Sequence, residues 1–479
     1  MPKLQEPYIL QDFSAGIIDD LSVADALTPR NAVRKGINVL FDRPRGAISQ
    51  RYGTTALGAV VSSGNTINGL HNFRSSNSSY HQLLAAADTK IYSYNTGGAT
   101  WDTQITGLSS GLKTRFLTYL NEVVYMNGTD ASKSWTGTGA WQTTGGNLAV
   151  NSFPKAKFAT ILNSRVFTAG DPNAPDTVTA SSLEASNAIS WTSGNKNFKI
   201  FPNDGNGNIS GLAGNGRLIL FFKDRGLYRY DDNELQRVVN IGTPSHESIV
   251  TDDNGITYFF GQGANSIGFY RTTGGDVQKI SRPIIKWIEE ISPSFYTHIN
   301  GFTDGTKIYW SIGSITMDGI TYTNTWYVYN IADQTHEIRN YADRFRVFSQ
   351  YINTNDAITT VGGDTDGFVQ TINLGNTDNG TMIESECELG EFIFTTRGQI
   401  KVINELIAYT TDSQGLTLSV KVDSGRWERL GNLDQSEKYF KNLPKLRGNK
   451  FYFKINAVNS GTPFQFDGLE LPNITSEGY

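Results

Sequence analysis

The sequence predicts an all-β protein in which a β-propeller of six or seven blades follows an N-terminal arm with a hairpin and precedes a C-terminal β-sandwich of jelly-roll type. Three observations support this fold class: β-rich runs recur along the chain, glycine and aromatic residues are abundant, and only one stretch has helical spacing. Of 479 residues, 49 are glycine and 12% are aromatic, whereas 18% are charged. This composition favours many short strands joined by tight turns and disfavours disorder.

Seven runs of aromatic and β-branched residues lie between Asp88 and Asp366, and they are separated by loops rich in Gly, Asn and Asp. Side chains of these types fit a pleated, half-buried surface. The first apolar residues of the runs are Ile91, Val123, Val166, Leu218, Ile256, Ile308 and Ile358, at steps of 32 to 52 residues. Propeller blades recur at roughly 40–50 residues, so we assign residues 61–390 to the propeller.

Residues 1–60 contain too few apolar side chains for a core of their own. A strand is predicted at 38–41 and its hairpin partner at 45–51, with Asp42-Arg43-Pro44 in the turn. We expect this arm to pack on the propeller or on a neighbouring subunit. The candidate docking residues are Phe13, Arg30, Asn31, Arg43, Arg45 and Arg51.

One helix interrupts the strands. Ser281 and Pro283 provide a cap residue and an early proline, and apolar residues follow at a spacing near 3.6 until Pro293.

Residues 391–479 are predicted to form the C-terminal β-sandwich, because their strands are separated by turns at a spacing typical of that fold. The predicted strands are 392–394, 400–409, 416–422, 427–430, 450–457 and 464–471.

Composition also limits the function. The formal net charge of -5 disfavours a strongly basic, DNA-coating protein. Cys387 is the only cysteine, so no intrachain disulfide is expected. The N-terminus lacks an apolar signal segment and no stretch is long and apolar enough to cross a bilayer, so we expect a soluble protein made in a cytoplasm.

Several motifs are better interpreted as turns than as catalytic or metal sites. Gly107-Leu108-Ser109-Ser110-Gly111 matches the nucleophile-elbow pattern but lacks a following helix. The loops at Asp204 and Asp364 alternate oxygen ligands without a complete calcium pattern. His71, His81, His246, His298 and His336 show no zinc spacing, and no phosphate-binding loop motif is present, so we expect no metal or other cofactor.

Glu384, Glu386 and Glu388 point to one face if their segment is a strand. A solvated face is the simpler interpretation. The alternative is a ring of carboxylates that lines a pore in a symmetric oligomer and repels DNA phosphates.

Basic residues cluster at Arg43, Arg45 and Arg51, and again at Arg339, Arg344 and Arg346. At this density the sequence favours a solvated or intersubunit role over nucleic-acid readout.

Several of these segments together resemble the tail nozzle or tail-hub proteins of short-tailed bacteriophages, also described as packaged-DNA stabilisation proteins. At the N-terminus the resemblance lies in residues 12–16, 29–32, 38–41, 46–48 and 51–54. Further on, 362–369 together with 378–381 looks like the last blade of that family, and 445–451 with 462–464 looks like its terminal sandwich.

The resemblance implies a non-enzymatic virion protein, located in the tail and assembled in the host bacterial cytoplasm. It implies a hexameric ring below the portal and adaptor that encloses the DNA channel, retains packaged DNA and releases it on infection. The implied partners are other copies of the chain, the adaptor and portal, tail fibres or tip proteins, double-stranded DNA passing without sequence readout, and the host surface.

Two alternatives remain open. A tail-tip glycan-binding adhesin or polysaccharide depolymerase would use exposed aromatics such as Trp101, Trp135 and Trp141. A free-standing propeller scaffold for protein partners would be a monomer.

Overall fold

Seven antiparallel groups of three or four strands follow one another along the chain and form the blades of a propeller. The structure is a computed structural model, and it describes residues 3–4, 7–20, 31–74, 81–264, 266–353, 355–394, 399–412, 415–443, 446–457 and 462–477. The predicted all-β class and propeller are confirmed, and the residues in these ranges form seven blades.

Blades 1 to 3 have four, three and four strands. Blade 1 contains Ile67–Phe73, Gln82–Ala87, Lys90–Asn95 and Thr100–Ile105. Blade 2 contains Arg115–Tyr119, Glu122–Met126 and Ser134–Trp135. Blade 3 contains Phe158–Leu162, Arg165–Asp171, Ala174–Ala180 and Lys196–Lys199.

Blades 4 to 6 each have four strands. Blade 4 contains Ile209–Gly214, Ile219–Lys223, Gly226–Tyr230 and Leu235–Val239. Blade 5 contains Val250–Thr251, Thr257–Gln262, Ile267–Thr272 and Val277–Lys279. Blade 6 contains Asn300–Thr303, Lys307–Met317, Ile320–Asn330 and His336–Asn340.

The ring closes through blade 7, whose own strands are Phe345–Ile352, Ile358–Asp364 and Val369–Ile372. Its fourth strand is Thr54–Ala56, which comes from the N-terminal region and pairs with Val369–Ile372. The first strands of successive blades contact one another, and the first strand of blade 7 contacts that of blade 1. This closure leaves only short sheet edges around the wheel.

The recurring aromatic runs of the sequence form the inner part of each blade. Six of the seven runs lie in the second strand of their blade. Several of these strands are buried on both faces, as in Glu122–Met126 and Ile219–Lys223, whereas the run in blade 7 begins at the exposed Ile358. The first run lies in Lys90–Asn95, the third strand of blade 1. Because Ile91 lies one strand later in its blade than the first residues of the other runs, the step from Ile91 to Val123 is the shortest of the six.

The predicted helix is confirmed but short. A 3-10 turn at Arg282–Ile284 leads into the α-helix Ile285–Glu289, and Trp287 and Ile288 face the core. The helix ends at Glu289, before Pro293, and a second 3-10 segment, Pro293–His298, begins at that proline. Two further 3-10 turns are Val150–Ser152 and His246–Ser248.

The C-terminal sandwich shares a sheet with the propeller. Val33–Ile37, which we call the bridging strand, pairs in parallel with His336–Asn340 of blade 6 and antiparallel with Ser385–Phe392. The resulting nine-stranded sheet continues into the sandwich. After Ser385–Phe392 come Phe451–Ala457, Leu416–Val422 and Glu428–Asn432.

The second sandwich sheet contains the predicted N-terminal hairpin, Val39–Asp42 and Arg45–Gln50. Its other strands are Gln465–Leu471, Glu405–Asp412, Glu437–Lys441 and Tyr8–Leu10. A smaller sheet joins Lys3–Leu4, Ile474–Glu477, Ile400–Ile403 and Arg447–Gly448, and a short hairpin at Thr377–Asp378 and Thr381–Met382 pairs with Thr54–Ala56. Leu418 and Ile455 from one sheet and Leu406 and Phe466 from the other belong to one buried core.

Candidate functional site

Arg51 lies at the centre of a buried polar cluster where the N-terminal hairpin, the propeller and the sandwich meet. Its guanidinium donates to both carboxylate oxygens of Asp378, at 2.8 and 2.6 Å. Its Nε donates to Asn38 Oδ1 at 2.8 Å, and the ring of Tyr341 lies 3.9 Å from its Cζ. Asn38 in turn donates to the carbonyl oxygen of Glu384 at 2.7 Å, which ties the hairpin to the start of the sandwich.

A second buried cluster joins the hairpin to blade 6. Lys307 Nζ lies 2.8 Å from Asp42 of the hairpin and 2.5 Å from Glu337. Arg339 contacts the other oxygen of Glu337 at 2.7 Å. Burial raises the pKa of Glu337, but Lys307 and Arg339 outweigh that effect and the net shift is downward. We call these two clusters and the bridging strand the joint.

Some of the candidate docking residues are buried within the chain and others are exposed to solvent. Phe13 and Arg51 are buried in the chain, and Phe13 packs against Phe466, so neither is a docking residue. Asn31 donates to Asp12 at 3.1 Å. Arg43 and Arg45 are exposed, and Arg45 pairs with Asp333 at 3.3 Å. Arg30 lies outside the described residues.

Arg339 also departs from expectation. The sequence favoured a solvated or intersubunit role for Arg339, Arg344 and Arg346, yet Arg339 is buried in the joint. Arg344 lies over the ring of Phe295, 5.0 Å from its centroid.

Two members of the acidic triplet, Glu386 and Glu388, lie on one face of the strand Ser385–Phe392, and both are paired. Glu386 lies 3.2 Å from Lys35 and 3.7 Å from Lys454, and Glu388 lies 3.5 Å from Lys454. Glu384 is exposed just before the strand. A carboxylate ring around a pore stays a prediction, and in this chain Glu384 is its least neutralised member.

The turn interpretations of three motifs are confirmed. Ser109 lies in a loop and donates to Asp130 at 2.7 Å. The Asp204 carboxylate accepts from the Tyr228 hydroxyl and from Lys223 at 3.3 Å. The Asp364 carboxylate caps its own turn by accepting from the amides of Asp366 and Phe368.

The described part of the chain contains no group of three or more His, Cys, Asp or Glu residues placed to hold a metal ion. Among the histidines, His71 and His336 contact hydroxyls, those of Thr118 and Tyr327, at 2.7 and 3.0 Å.

The aromatic residues suggested for glycan binding are mostly internal. Trp135 and Trp141 are buried and stack on each other. Trp101 is half-buried, packs on Tyr94, and donates to the carbonyl oxygen of Ala59 at 3.1 Å.

A cavity of about 400 Å³ lies on the propeller axis, and residues at or just before the first strands of several blades line it. Blade 2 contributes Lys113 and Arg115, blade 3 Lys157, and blade 7 Arg346. An adjoining cavity of about 250 Å³ shares Arg115 and Glu247 with it. No local motif in the sequence marks this cluster, because its members are spread along the chain from Lys113 to Arg346.

The charged side chains that line the axial cavity shift one another's pKa values. Glu247 forms an ion pair with Arg115. Burial raises the pKa of Glu247, but Arg115 and Lys113 outweigh it and lower that pKa to about 2. Burial, assisted by the cations Arg346 and Arg115, lowers the pKa of Lys113 to about 8. Burial, with a smaller effect of Arg115, lowers the pKa of His246 to about 4, so this imidazole is neutral at pH 7.

No protein-family model and no curated protein sequence matches the chain. Similar solved structures include YCF48 bound to a D1 peptide, at a TM-score of 0.40 and 8% identity, covering 67% of this chain and 99% of that one. The AfRom2 CNH domain has a TM-score of 0.39 and 13% identity, with 68% and 100% covered. The extracellular domain of the BT4673 one-component system from B. thetaiotaomicron has a TM-score of 0.40 and 11% identity, with 84% and 49% covered. The propeller assignment therefore depends on strand order and ring closure in the chain itself.

Within the described residues, no helix has both the length and the apolar character needed to span a bilayer.

Proposed function

We propose that this chain is a structural subunit of the tail of a short-tailed bacteriophage, of the nozzle or tail-hub type. Copies form a ring, expected to be hexameric, below the portal and adaptor. The ring encloses the DNA channel, retains the packaged genome and releases it on infection. The subunit performs no catalysis in this role.

The observation that supports the proposal most is the position of the residues that carry the sequence resemblance. Asn38 and Arg51 form the polar centre of the joint, and Asp378 from a later resembling segment is their partner. Asp364, from the segment that resembles the last blade, accepts from Gln370 at 2.8 Å, and Gln370 in turn accepts from Thr54 at 2.7 Å. The resemblance is therefore concentrated where the propeller closes and meets the sandwich.

The joint also fits the mechanical demand of a channel wall. The bridging strand pairs with blade 6 at Ile37 and Ile338 and with the sandwich along Val33–Ile37, so displacing the sandwich from the propeller breaks backbone hydrogen bonds. Buried ion pairs lose much of their energy if one partner is displaced. A subunit built in this way keeps its shape when internal DNA pressure acts on one side of it.

Ring closure requires two different faces of each subunit to meet head to tail. Among the docking candidates in the described residues, Arg43 and Arg45 are exposed at the tip of the hairpin. Because Trp135 and Trp141 are core residues, they cannot stack on a sugar, and the adhesin or depolymerase alternative gains no support from them.

The proposal is tested on phage particles assembled with an epitope-tagged copy of the chain. We expect purified particles to contain the tagged chain, and gold-labelled antibody to mark the tail just below the head. Particles that are complete and infectious but lack the chain would contradict the proposal. The Arg43→Glu/Arg45→Glu double variant tests the docking candidates, with Lys199→Glu, an exposed site on blade 3, as its matched control.

A further inference from the structure

The axial cavity carries an excess of positive charge that the rest of the chain does not share. Four cationic side chains line it, namely Lys113, Arg115, Lys157 and Arg346, against two carboxylates, Asp171 and Glu247. The whole chain has a net charge of -5. The cluster is therefore a local feature and does not follow from a basic composition.

The cations of the cavity are incompletely neutralised. Glu247 is engaged by Arg115, whereas Lys113, Lys157 and Arg346 have no carboxylate at ion-pair distance within the described residues. Lys113 Nζ donates to the backbone carbonyl oxygen of Arg346 at 2.5 Å, which fixes its position but supplies no negative charge. One Nη of Arg346 lies 3.1 Å from His298 Nδ1.

The burial and mutual proximity of these cations are energetically unfavourable. Burial lowers the pKa of Lys113, and the neighbouring cations Arg346 and Arg115 add to this effect against the opposing influence of Glu247, so the protonated form of Lys113 is disfavoured. Arg115 Nε is buried and has no hydrogen-bond partner. An unpaired buried donor and neighbouring like charges are both stabilised by a bound anion.

We propose that the propeller axis binds a small oxyanion of the phosphate class, held by Lys113, Arg115 and Arg346. The cavity of about 400 Å³ has room for a free phosphate ion or for the phosphate group of a small metabolite. It lies inside the wheel of one chain and is too small for a DNA duplex. The site is thus separate from the channel in the proposed function and does not depend on it.

Isothermal titration calorimetry with inorganic phosphate on the full chain tests the proposal, in chloride buffer at constant ionic strength. We expect saturable binding to the parent chain and to the Lys199→Met control, whose lysine is exposed on blade 3. The Lys113→Met and Arg346→Gln variants should bind at least about tenfold more weakly, since each removes a charge-assisted contact. Lys113→Arg should retain most of the affinity.

A folding control and a second ligand complete the test. Circular dichroism identifies any variant that fails to fold, in which case Lys113→Arg and Arg346→Gln carry the test. Tighter binding of adenosine monophosphate than of phosphate assigns the site to a phosphorylated small molecule, and the reverse assigns it to the free ion. Absence of saturable heat with both ligands, or equal affinity of the parent and Lys113→Met, would overturn the proposal.

Discussion

Arg51 and Asp378 form a two-pronged ion pair between residues 327 positions apart in sequence, and both side chains are removed from solvent, at 0% and 4% exposure. The pair connects the end of the N-terminal hairpin with the short hairpin that follows blade 7. It holds together three regions that are distant in sequence, because Arg51 also donates to the carbonyl oxygen of Asn340 at the end of blade 6.

Replacing Arg51 by Met should destabilise the fold strongly. The substitution leaves Asp378 buried without its cation, and breaking a buried pair in this way costs about 3–5 kcal/mol. Denaturant unfolding measures the loss. Arg45→Met is the matched control, because its pair with Asp333 is solvent-exposed and such pairs contribute about 0–1 kcal/mol. Equal stability of the two variants would contradict the role given to the joint.

Gly53 should not tolerate a side chain. A Cβ at this position would lie 1.9 Å from the backbone oxygen of Thr377, so Gly53→Ala must displace the hairpin that pairs with Thr54–Ala56. We expect a fall in melting temperature and faster proteolysis near residues 373–384. Gly275→Ala serves as the control, since nothing lies within 4 Å of a Cβ added at that glycine. A Gly53→Ala variant as stable as this control would refute the close approach.

Charge reversal should have different effects on stability at Glu386 and at Glu384. Glu386→Lys places a third cation beside Lys35 and Lys454 and should lower stability, whereas Glu384→Lys lies at an exposed site and should not. If Glu384 lines a DNA channel, Glu384→Lys should also slow DNA ejection, because a cation there attracts phosphate. Thermal unfolding and ejection assays on particles carrying each variant separate the two effects.

Acid should destabilise the chain between pH 6.5 and about 4. Burial lowers the pKa of His336 to about 4, so the folded state holds it neutral while the unfolded chain protonates near 6.5. Its contribution is complete above pH 6.5 and is lost as pH falls to 4, and the loss reaches roughly 2 kcal/mol at pH 5. His336→Gln should make this part of the stability profile less steep but not flat, because burial also lowers the pKa of His71 and of His246 to about 4. A profile identical to that of the parent chain would contradict the assignment.

The sequence predicted the features that neighbouring residues determine. The hairpin around Asp42-Arg43-Pro44, the turn at Asp364 and the proline-bounded helix depend on local backbone preferences, and all three are present. The aromatic runs predicted the blades because most of their residues are buried within a strand of a blade. These signals are local, so a pattern search along the chain finds them.

Features that depend on distant partners were not predicted. The bridging strand pairs with blade 6 and with the sandwich, roughly 300 and 350 residues away, and nothing in Val33–Ile37 indicates either partner. Arg51 and Arg339 were assigned to surfaces because arginine is usually exposed, yet buried carboxylates pair with both. The axial cations come from separate blades and meet only once the ring has closed.

The most direct test of the proposed ring is the stoichiometry and shape of the purified full-length chain. Native mass spectrometry at micromolar concentration, combined with negative-stain class averages, measures both. We predict closed assemblies of six copies around an open centre wide enough for a DNA duplex. A monomer at every concentration, with no ring in the averages and no attachment to tail particles, would contradict the account.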